Sequence, residues 1–318
     1  MNSSFHIPVI LKRLADHFVP PLVPGLDIGS SVVKLVEIAP SEKGMVLRRA
    51  AIRRVQDGDL TSSIKQLLSE SGVTTRRVVV GLASPEVIAR PFQFPRMSTK
   101  ELSSAIHLEA EHAILNGHSI KEVMVDWHVL SDHSTDGIRG LLAVAPKTTL
   151  AERMTIIRAA GLRPWMMDVE GLALWNAYWA LLGSHEPSQK TIFLIHVGAQ
   201  TTNLVIAKGR DELILMRDLQ IGGQSIVNDQ GNEWSAEVQD SLAYARSKNG
   251  LRTLDFVYVT GGGTSPRLTH LLKPIVRVPV TFWNPLDQLE RDPKCPPLED
   301  SAGPLLTLAI GLALRRTS

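Results

Sequence analysis

A glycine-containing turn between two apolar strands occurs twice in the sequence and most constrains its fold. The first copy reads GLDIGSSVVKLVE over residues 25–37, and the second reads IHVGAQTTNLVI over residues 195–206. Aligning Asp27 with His196 also aligns Gly29 with Gly198. The separation is far longer than the period of a solenoid repeat. The pattern therefore predicts two related halves, each opening with a β-hairpin.

Turns of this composition present backbone N–H groups and small hydroxyl side chains, and such a concavity can hold phosphate. Two facing turns would clamp the phosphates of a nucleotide from both sides. Asp27, at the end of the first strand, would then hold Mg²⁺ through water. The alternative is that both are ordinary hairpins of antiparallel sheets, because Gly-Ser turns are common.

A third glycine-rich turn follows a predicted buried strand at residues 254–259 and precedes a predicted helix at residues 266–272. Its residues Gly261, Gly262 and Gly263 allow a ligand to approach the backbone closely, and the helix N-terminus carries partial positive charge. This turn is a candidate seat for adenosine or its α-phosphate. The alternative is a loop whose glycines serve only tight packing.

Composition limits the classes of protein to consider. The 318 residues are 44% hydrophobic, enough for a large core and for two domains or lobes. The formal net charge of +2 gives no basic patch for nucleic acid, and the single Cys295 excludes an internal disulfide or a cysteine-based zinc site. No apolar run reaches the ~18 residues of a membrane span. We expect a cytoplasmic protein, or one held at a membrane by a partner.

Periodicity and turn residues divide the chain into parts. Ser98 with Glu101 and Thr149 with Glu152 have the spacing of capping boxes, which predicts helices beginning there. The predicted organisation is an N-terminal segment at 1–24 that contains an amphipathic helix at 5–18, a first lobe at 25–84 and 163–185, an inserted strand–helix–strand–strand–helix module at 85–162, and a second lobe at 186–318 that is reduced between 223 and 250.

Two hairpin turns followed by a strand–glycine–helix turn resemble the pattern of the actin/Hsp70/hexokinase superfamily. The sequence is more similar to the PilM family, actin-like type IV pilus assembly proteins related to the cell-division protein FtsA. The resemblance extends from about residue 22 to the C-terminus, and its motifs lie at 25–37, 101–111, 159–162, 168–171, 198–204, 217–223 and 260–263.

The resemblance implies an α/β fold of the actin-like, Hsp70/FtsA type: a duplicated two-lobe fold with an inserted small α+β subdomain. Members of the family bind ATP in the cleft between the lobes. They also bind the short N-terminal cytoplasmic tail of the inner-membrane protein PilN, which links them to PilO, PilP and the secretin, with the assembly ATPases as further partners. The implied location is cytoplasmic and peripheral to the inner membrane.

The family's site residues carry over by position. Asp27, Gly29, Ser30 and Ser31 would form the first phosphate loop, with Asp27 near Mg²⁺. The second loop would comprise Gly198, Thr201 and Thr202, and the adenosine turn would comprise Gly261, Gly262 and Gly263. Asp168 and Glu170 lie on the connecting segment, where a carboxylate would position the attacking water.

Two departures from the family pattern weaken the implied ATP and Mg²⁺ site. His196 stands where the second loop normally has an aspartate, and a neutral imidazole is a poor ligand for Mg²⁺. We interpret His196 as a core histidine with a local hydrogen bond. The segment 223–235 is short, which predicts the loss of one wall of the cleft.

These features lead to two main hypotheses. The first is a pilus-assembly scaffold that docks a PilN-like tail and has weak or lost nucleotide binding. The second is an active Mg-ATP hydrolase of a pilus or type II secretion machine. A sugar or acetate kinase of the same superfamily would need a general base on the substrate side and a specificity pocket, and no additional motif supplies either.

Overall fold

The computed structural model describes residues 22–42, 44–114, 119–134, 137–183, 189–209 and 212–315. The predicted amphipathic helix at 5–18 lies outside these residues. Among the helices in these ranges, none has both the length and the apolar character needed to cross a membrane.

The first of three sheets has six strands in the order β14-β3-β2-β1-β4-β8. The predicted first hairpin is present, and Asp27 lies directly opposite Lys34 in its register. β1 pairs antiparallel with β2 and parallel with β4. The strands of this sheet are β1 Gly25–Ile28, β2 Val32–Ser41, β3 Gly44–Arg54, β4 Arg77–Leu82, β8 Arg163–Val169 and β14 Glu290–Arg291.

The second sheet repeats this topology in the order β11-β10-β9-β12-β13. β9 pairs antiparallel with β10 and parallel with β12, so β9 corresponds to β1, β10 to β2 and β12 to β4. The duplication predicted from the two turns is thereby confirmed. The strands are β9 Thr191–Val197, β10 Thr202–Lys208, β11 Glu212–Leu219, β12 Phe256–Thr260 and β13 Val280–Phe282.

The inserted module contains the predicted strand–helix–strand–strand–helix order. Its three-stranded sheet has the order β5-β7-β6 and shares a small apolar core with α2. Ser98 caps α2 through the predicted capping box. α3 begins at Lys147 rather than at Thr149, because the chain turns from β7 directly into the helix at Pro146. The elements are β5 Ile88–Phe94, α2 Thr99–Ala113, β6 Val123–Ser134, β7 Gly137–Pro146 and α3 Lys147–Ala159.

The segment between 223 and 250, for which we predict a reduction of the lobe, forms one helical run. It comprises α5 Gly223–Ser225, a π-helical turn at Ile226–Gln230 and α6 Gly231–Lys248. Apolar periodicity does not predict the first part of this helix, because its residues are largely polar and include Gly231. Buried Trp234 anchors α6 on the second sheet, because its Nε1 donates to Thr202 Oγ1.

Two apolar helices, α4 Glu170–Leu181 and α8 Ala302–Ala313, pack together and contact both large sheets. Nine of the twelve residues in each helix are buried. α8 lies in the sequence range predicted for the second lobe, yet it packs mainly on β1, β2 and α4. The domain limits themselves stay a prediction. The remaining helices are α1 Leu60–Ser71 and α7 Pro266–Val276.

The α4–α8 contact depends on a glycine. A Cβ atom at Gly311 would lie 1.8 Å from the carbonyl oxygen of Ala173, which belongs to the α4 backbone and cannot move aside. We expect Gly311→Ala to destabilise the protein by about 1–3 kcal/mol through overpacking. Thermal unfolding would show this as a melting temperature lowered by about 1.5–4.5 °C.

Gly231→Ala provides a matched control for this substitution. The added Cβ in α6 would meet only the ends of the Arg267 and Leu271 side chains, at 3.1 and 3.3 Å. These ends can shift, so the control should unfold at or slightly above the temperature of the parent chain. Equal melting temperatures for the two variants would contradict the close α4–α8 approach.

Candidate functional site

The three predicted turns meet in one cleft of about 740 Å³, a size within the range of small-molecule sites. The helical run after β11 forms one of its walls through Gly223, Gln224, Val227 and Asn228, so the predicted loss of a wall in this segment is wrong. The predicted site residues that line the cleft are Asp27, Gly29, Ser30, Ser31, Glu170, Gly198, Thr201, Gly262 and Gly263.

The two hairpin turns have the same internal hydrogen bond. Gly29 N donates to Val32 O at 3.1 Å, and Gly198 N donates to Thr201 O at 2.8 Å. Their equivalence therefore extends from the sequence motif to the geometry of the turn, and both turns face the cleft.

Glycines in the second half also hold the turns against one another. Gly263 N donates to Val197 O at 2.8 Å, and Gly223 N donates to Gly198 O at 2.8 Å. A Cβ at Gly263 would lie 2.6 Å from Gly198 O. Gly261 has φ of +102° and no room for a side chain beside Val197, so its role is in packing. The alternative that these glycines serve tight packing thus applies to Gly261 and Gly263.

An ion pair lies at the base of the first turn. Lys34 Nζ is 2.9 Å from Asp27 Oδ2, and the two side chains are 11% and 2% exposed. Lys34 was missed as a site residue. The signal for it was its spacing from Asp27, because residues at equal distances on either side of a tight hairpin turn become cross-strand neighbours.

The corresponding pair in the second half is uncharged. His196 lies opposite Asn203, and His196 Nδ1 is 3.1 Å from Asn203 Oδ1. Asn203 Nδ2 donates to Asp218 Oδ1 at 2.8 Å and to Glu170 Oε2 at 3.4 Å. The amide oxygen must therefore accept, which assigns the His196 proton to Nδ1. Burial lowers the pKa of His196 to about 4, so the imidazole is neutral at pH 7.

Glu170 begins α4 and lies between these two pairs. Burial, together with the negative charges of Asp27 and Asp218, raises its pKa to about 8. Burial also raises the pKa of Asp218 to about 6. Glu170 therefore carries a proton at neutral pH.

The other three predicted site residues do not line the cleft. Asp168 is fully buried, and its Oδ2 is 3.3 Å from Arg315 Nε. Thr202 is also buried and donates to Ile221 O at 2.7 Å.

Comparison with known proteins identifies the family. The sequence profile described as "Type IV pilus assembly protein PilM" matches residues 25–242. The chain belongs to the PilM family of type IV pilus assembly proteins. No curated protein matches the sequence at a significant level.

A solved structure agrees with this assignment. A chain of a "PilM-PilN type IV pilus biogenesis complex" is 27% identical, with a TM-score of 0.79, over 94% of this chain and 99% of that one. A Bacteroides thetaiotaomicron protein of actin-like ATPase fold is 13% identical, with a TM-score of 0.49, over 84% and 92% of the two chains. The duplicated sheet topology, the family profile and the match to the PilM–PilN complex confirm the predicted α/β actin-like fold.

Two further polar residues of the cleft were missed. Arg153 Nη1, from α3, donates to Ile28 O at 3.3 Å. Gln224 Nε2 donates to Ser31 Oγ at 3.3 Å and so joins the two halves across the cleft. Neither position carries a signal in the sequence, because only the fold brings α3 and the α5 segment to the first turn.

The donor set distinguishes between phosphate and Mg²⁺, the two parts of the ligand that the PilM family implies. Turn backbones, small hydroxyls, Lys34 and Arg153 suit phosphate oxygens. Mg²⁺ needs an octahedral set of oxygen ligands. Asp27 is engaged by Lys34, and His196 is a neutral imidazole. The residues present therefore fit phosphate and do not fit a divalent metal.

Glu170 should make stability depend on pH. The folded side chain keeps its proton to about pH 8, whereas the unfolded one releases it near its ordinary pKa of 4.5. Between these values the folded state binds more protons, so stability falls as pH rises. Glu170→Gln removes this loss, and its stability relative to the parent chain should rise by at least about 1 kcal/mol between about pH 5 and about pH 8.

Denaturant unfolding at a series of pH values measures this difference. Glu111→Gln, on the exposed face of α2, is the control and should show a constant difference from the parent chain. A constant difference for Glu170→Gln as well would show that Glu170 is ionised in the folded protein.

Proposed function

We propose that this chain is a scaffold of type IV pilus assembly that docks the N-terminal cytoplasmic tail of a PilN-like inner-membrane protein. The observation that carries the proposal is the match to the PilM–PilN complex, in which 99% of the solved chain is covered at 27% identity. Coverage this complete includes the inserted module as well as both large sheets. The surfaces of that chain therefore have counterparts here.

Docking of this kind would place the chain at the cytoplasmic face of the inner membrane through its partner. PilO, PilP, the secretin and the assembly ATPases would then be reached indirectly, through the PilN-like protein. The proposal needs no nucleotide hydrolysis. It accords with a cleft in which a neutral histidine faces the hairpin that pairs Asp27 with Lys34.

Binding of a synthetic tail tests the proposal directly. A fluorescent peptide with the N-terminal cytoplasmic sequence of the PilN-like protein from the same genome should bind saturably, with a Kd of about 1–100 μM. A scrambled peptide is the control for charge and composition. Failure of the native peptide to bind the purified chain, or to co-purify with it, would overturn the docking proposal.

An Mg-ATP hydrolase is the second candidate. The observation that favours it is the convergence of the three turns on a cleft that Glu170 also lines. Asp27 would hold the metal, and Glu170 would act on the attacking water. Asp168 has no part in this scheme because its carboxylate pairs with Arg315.

Phosphate release from Mg-ATP by the parent chain and by Asp27→Ala separates the two candidates. The scaffold proposal predicts a slow rate that Asp27→Ala does not change. A hydrolase would lose at least about 100-fold in rate with its metal carboxylate. Serial purification of both proteins and of Glu111→Gln controls for a contaminating ATPase.

A further inference from the structure

The first turn of the cleft is surrounded by more cationic than anionic groups. Lys34 Nζ lies directly beneath the turn, since a Cβ at Gly29 would be only 3.0 Å from it. Arg153 reaches the same place from α3 and donates to the carbonyl of Ile28. The two cations belong to β2 and α3 and converge on one end of β1. The neighbouring acids are Asp27, which is already paired with Lys34, and Glu170, whose raised pKa of about 8 keeps it protonated.

A divalent cation at this position would meet unfavourable neighbours. The positive charge of Lys34 would repel a divalent cation bound a few ångströms away. The Lys34 ammonium group also already occupies Asp27 Oδ2, at 2.9 Å. On the facing side, the Nδ1–H of His196 is committed to Asn203. The cleft thus lacks a second carboxylate at the position equivalent to Asp27. The charge that a metal would neutralise on a polyphosphate is matched instead by side-chain cations.

We propose that the cleft binds the phosphates of a nucleoside di- or triphosphate through Lys34, Arg153 and the turn amides, in place of a divalent cation. This inference goes beyond the docking function and does not depend on it. The turn amides supply directional hydrogen bonds, and the guanidinium and ammonium groups supply charge. The nucleoside then extends toward Gly262 and Gly263 in the remaining volume of the cleft.

Calorimetric titration with ATP in excess Mg²⁺ and in excess EDTA tests metal independence. The two Kd values should agree within about threefold, a difference of less than about 1 kcal/mol. Binding that is more than about tenfold weaker in EDTA would overturn the proposal. Absence of binding at millimolar ATP in both buffers would overturn it as well. Neither result would affect the peptide-docking experiment, so the two proposals fail separately.

A metal-dependent site and the proposed metal-independent site predict opposite effects of Asp27→Asn on ATP binding. A metal-dependent site loses its carboxylate ligand, and binding in Mg²⁺ should fall steeply. In the proposed site, the substitution removes a negative charge near the phosphates and keeps the shape of the side chain. ATP affinity in EDTA should therefore stay the same or increase severalfold. A loss of more than about tenfold in EDTA would contradict the proposal.

Removal of each cation tests its role. Arg153→Met should weaken ATP binding in EDTA by at least about tenfold. Arg158→Met is the matched control, because Arg158 is exposed on the same helix and does not line the cleft. Lys34→Met alone would leave Asp27 buried and unpaired. The double variant Asp27→Asn/Lys34→Met avoids this problem and should also bind at least about tenfold more weakly than Asp27→Asn.

His196→Asp tests why the metal is excluded. The substitution places a second carboxylate across the cleft from Asp27. We expect ATP binding to become at least about tenfold stronger in Mg²⁺ than in EDTA. Unchanged metal independence in this variant would contradict the role assigned to His196. Circular dichroism and the melting temperature of each variant confirm that it is folded.

Discussion

The contact between α4 and α8 is the constraint on which the rest of the structure depends. The two helices lie between the large sheets, and Gly311 lets the α8 backbone come within contact distance of the α4 backbone at Ala173. This close approach holds the two helices together between the sheets. The cleft opens at the end of the same interface, where Glu170 begins α4 and Leu308 of α8 forms part of the lining. Helix packing thus brings residues of α4 and α8 into the lining of the cleft.

The duplicated hairpins then place equivalent residues face to face across that interface. The residues at these equivalent positions differ in charge. The first half has the ion pair of Asp27 and Lys34, and the second has the neutral hydrogen bond of His196 and Asn203. A buried ion pair needs both members, whereas a neutral pair costs less to desolvate. Glu170, between the two, is held in its protonated form by the same low dielectric.

Local patterns were sufficient wherever an element is specified by its own residues. The hairpins, the capping box at Ser98 and the module order follow from turn chemistry and apolar periodicity, and the structure contains all of them. The π-helical turn and the start of α6 were missed because their residues are polar and include glycine. Their helical form is stabilised by packing on the second sheet, which no local pattern records. Asp168 was misplaced because a carboxylate beside a site looks the same in sequence whether it faces the cleft or the core.

The sequence by itself determined the duplicated actin-like fold, the family and the three turns, because each is encoded by residues close together in the chain. Only the tertiary structure decided which side chains share the cleft. Arg153 and Gln224 reach the first turn from distant elements, and the Asp27 carboxylate is balanced by a lysine across the hairpin. The charge and the protonation state of the site depend on these long-range neighbours and on burial. Both are properties of the packed chain and of no segment within it.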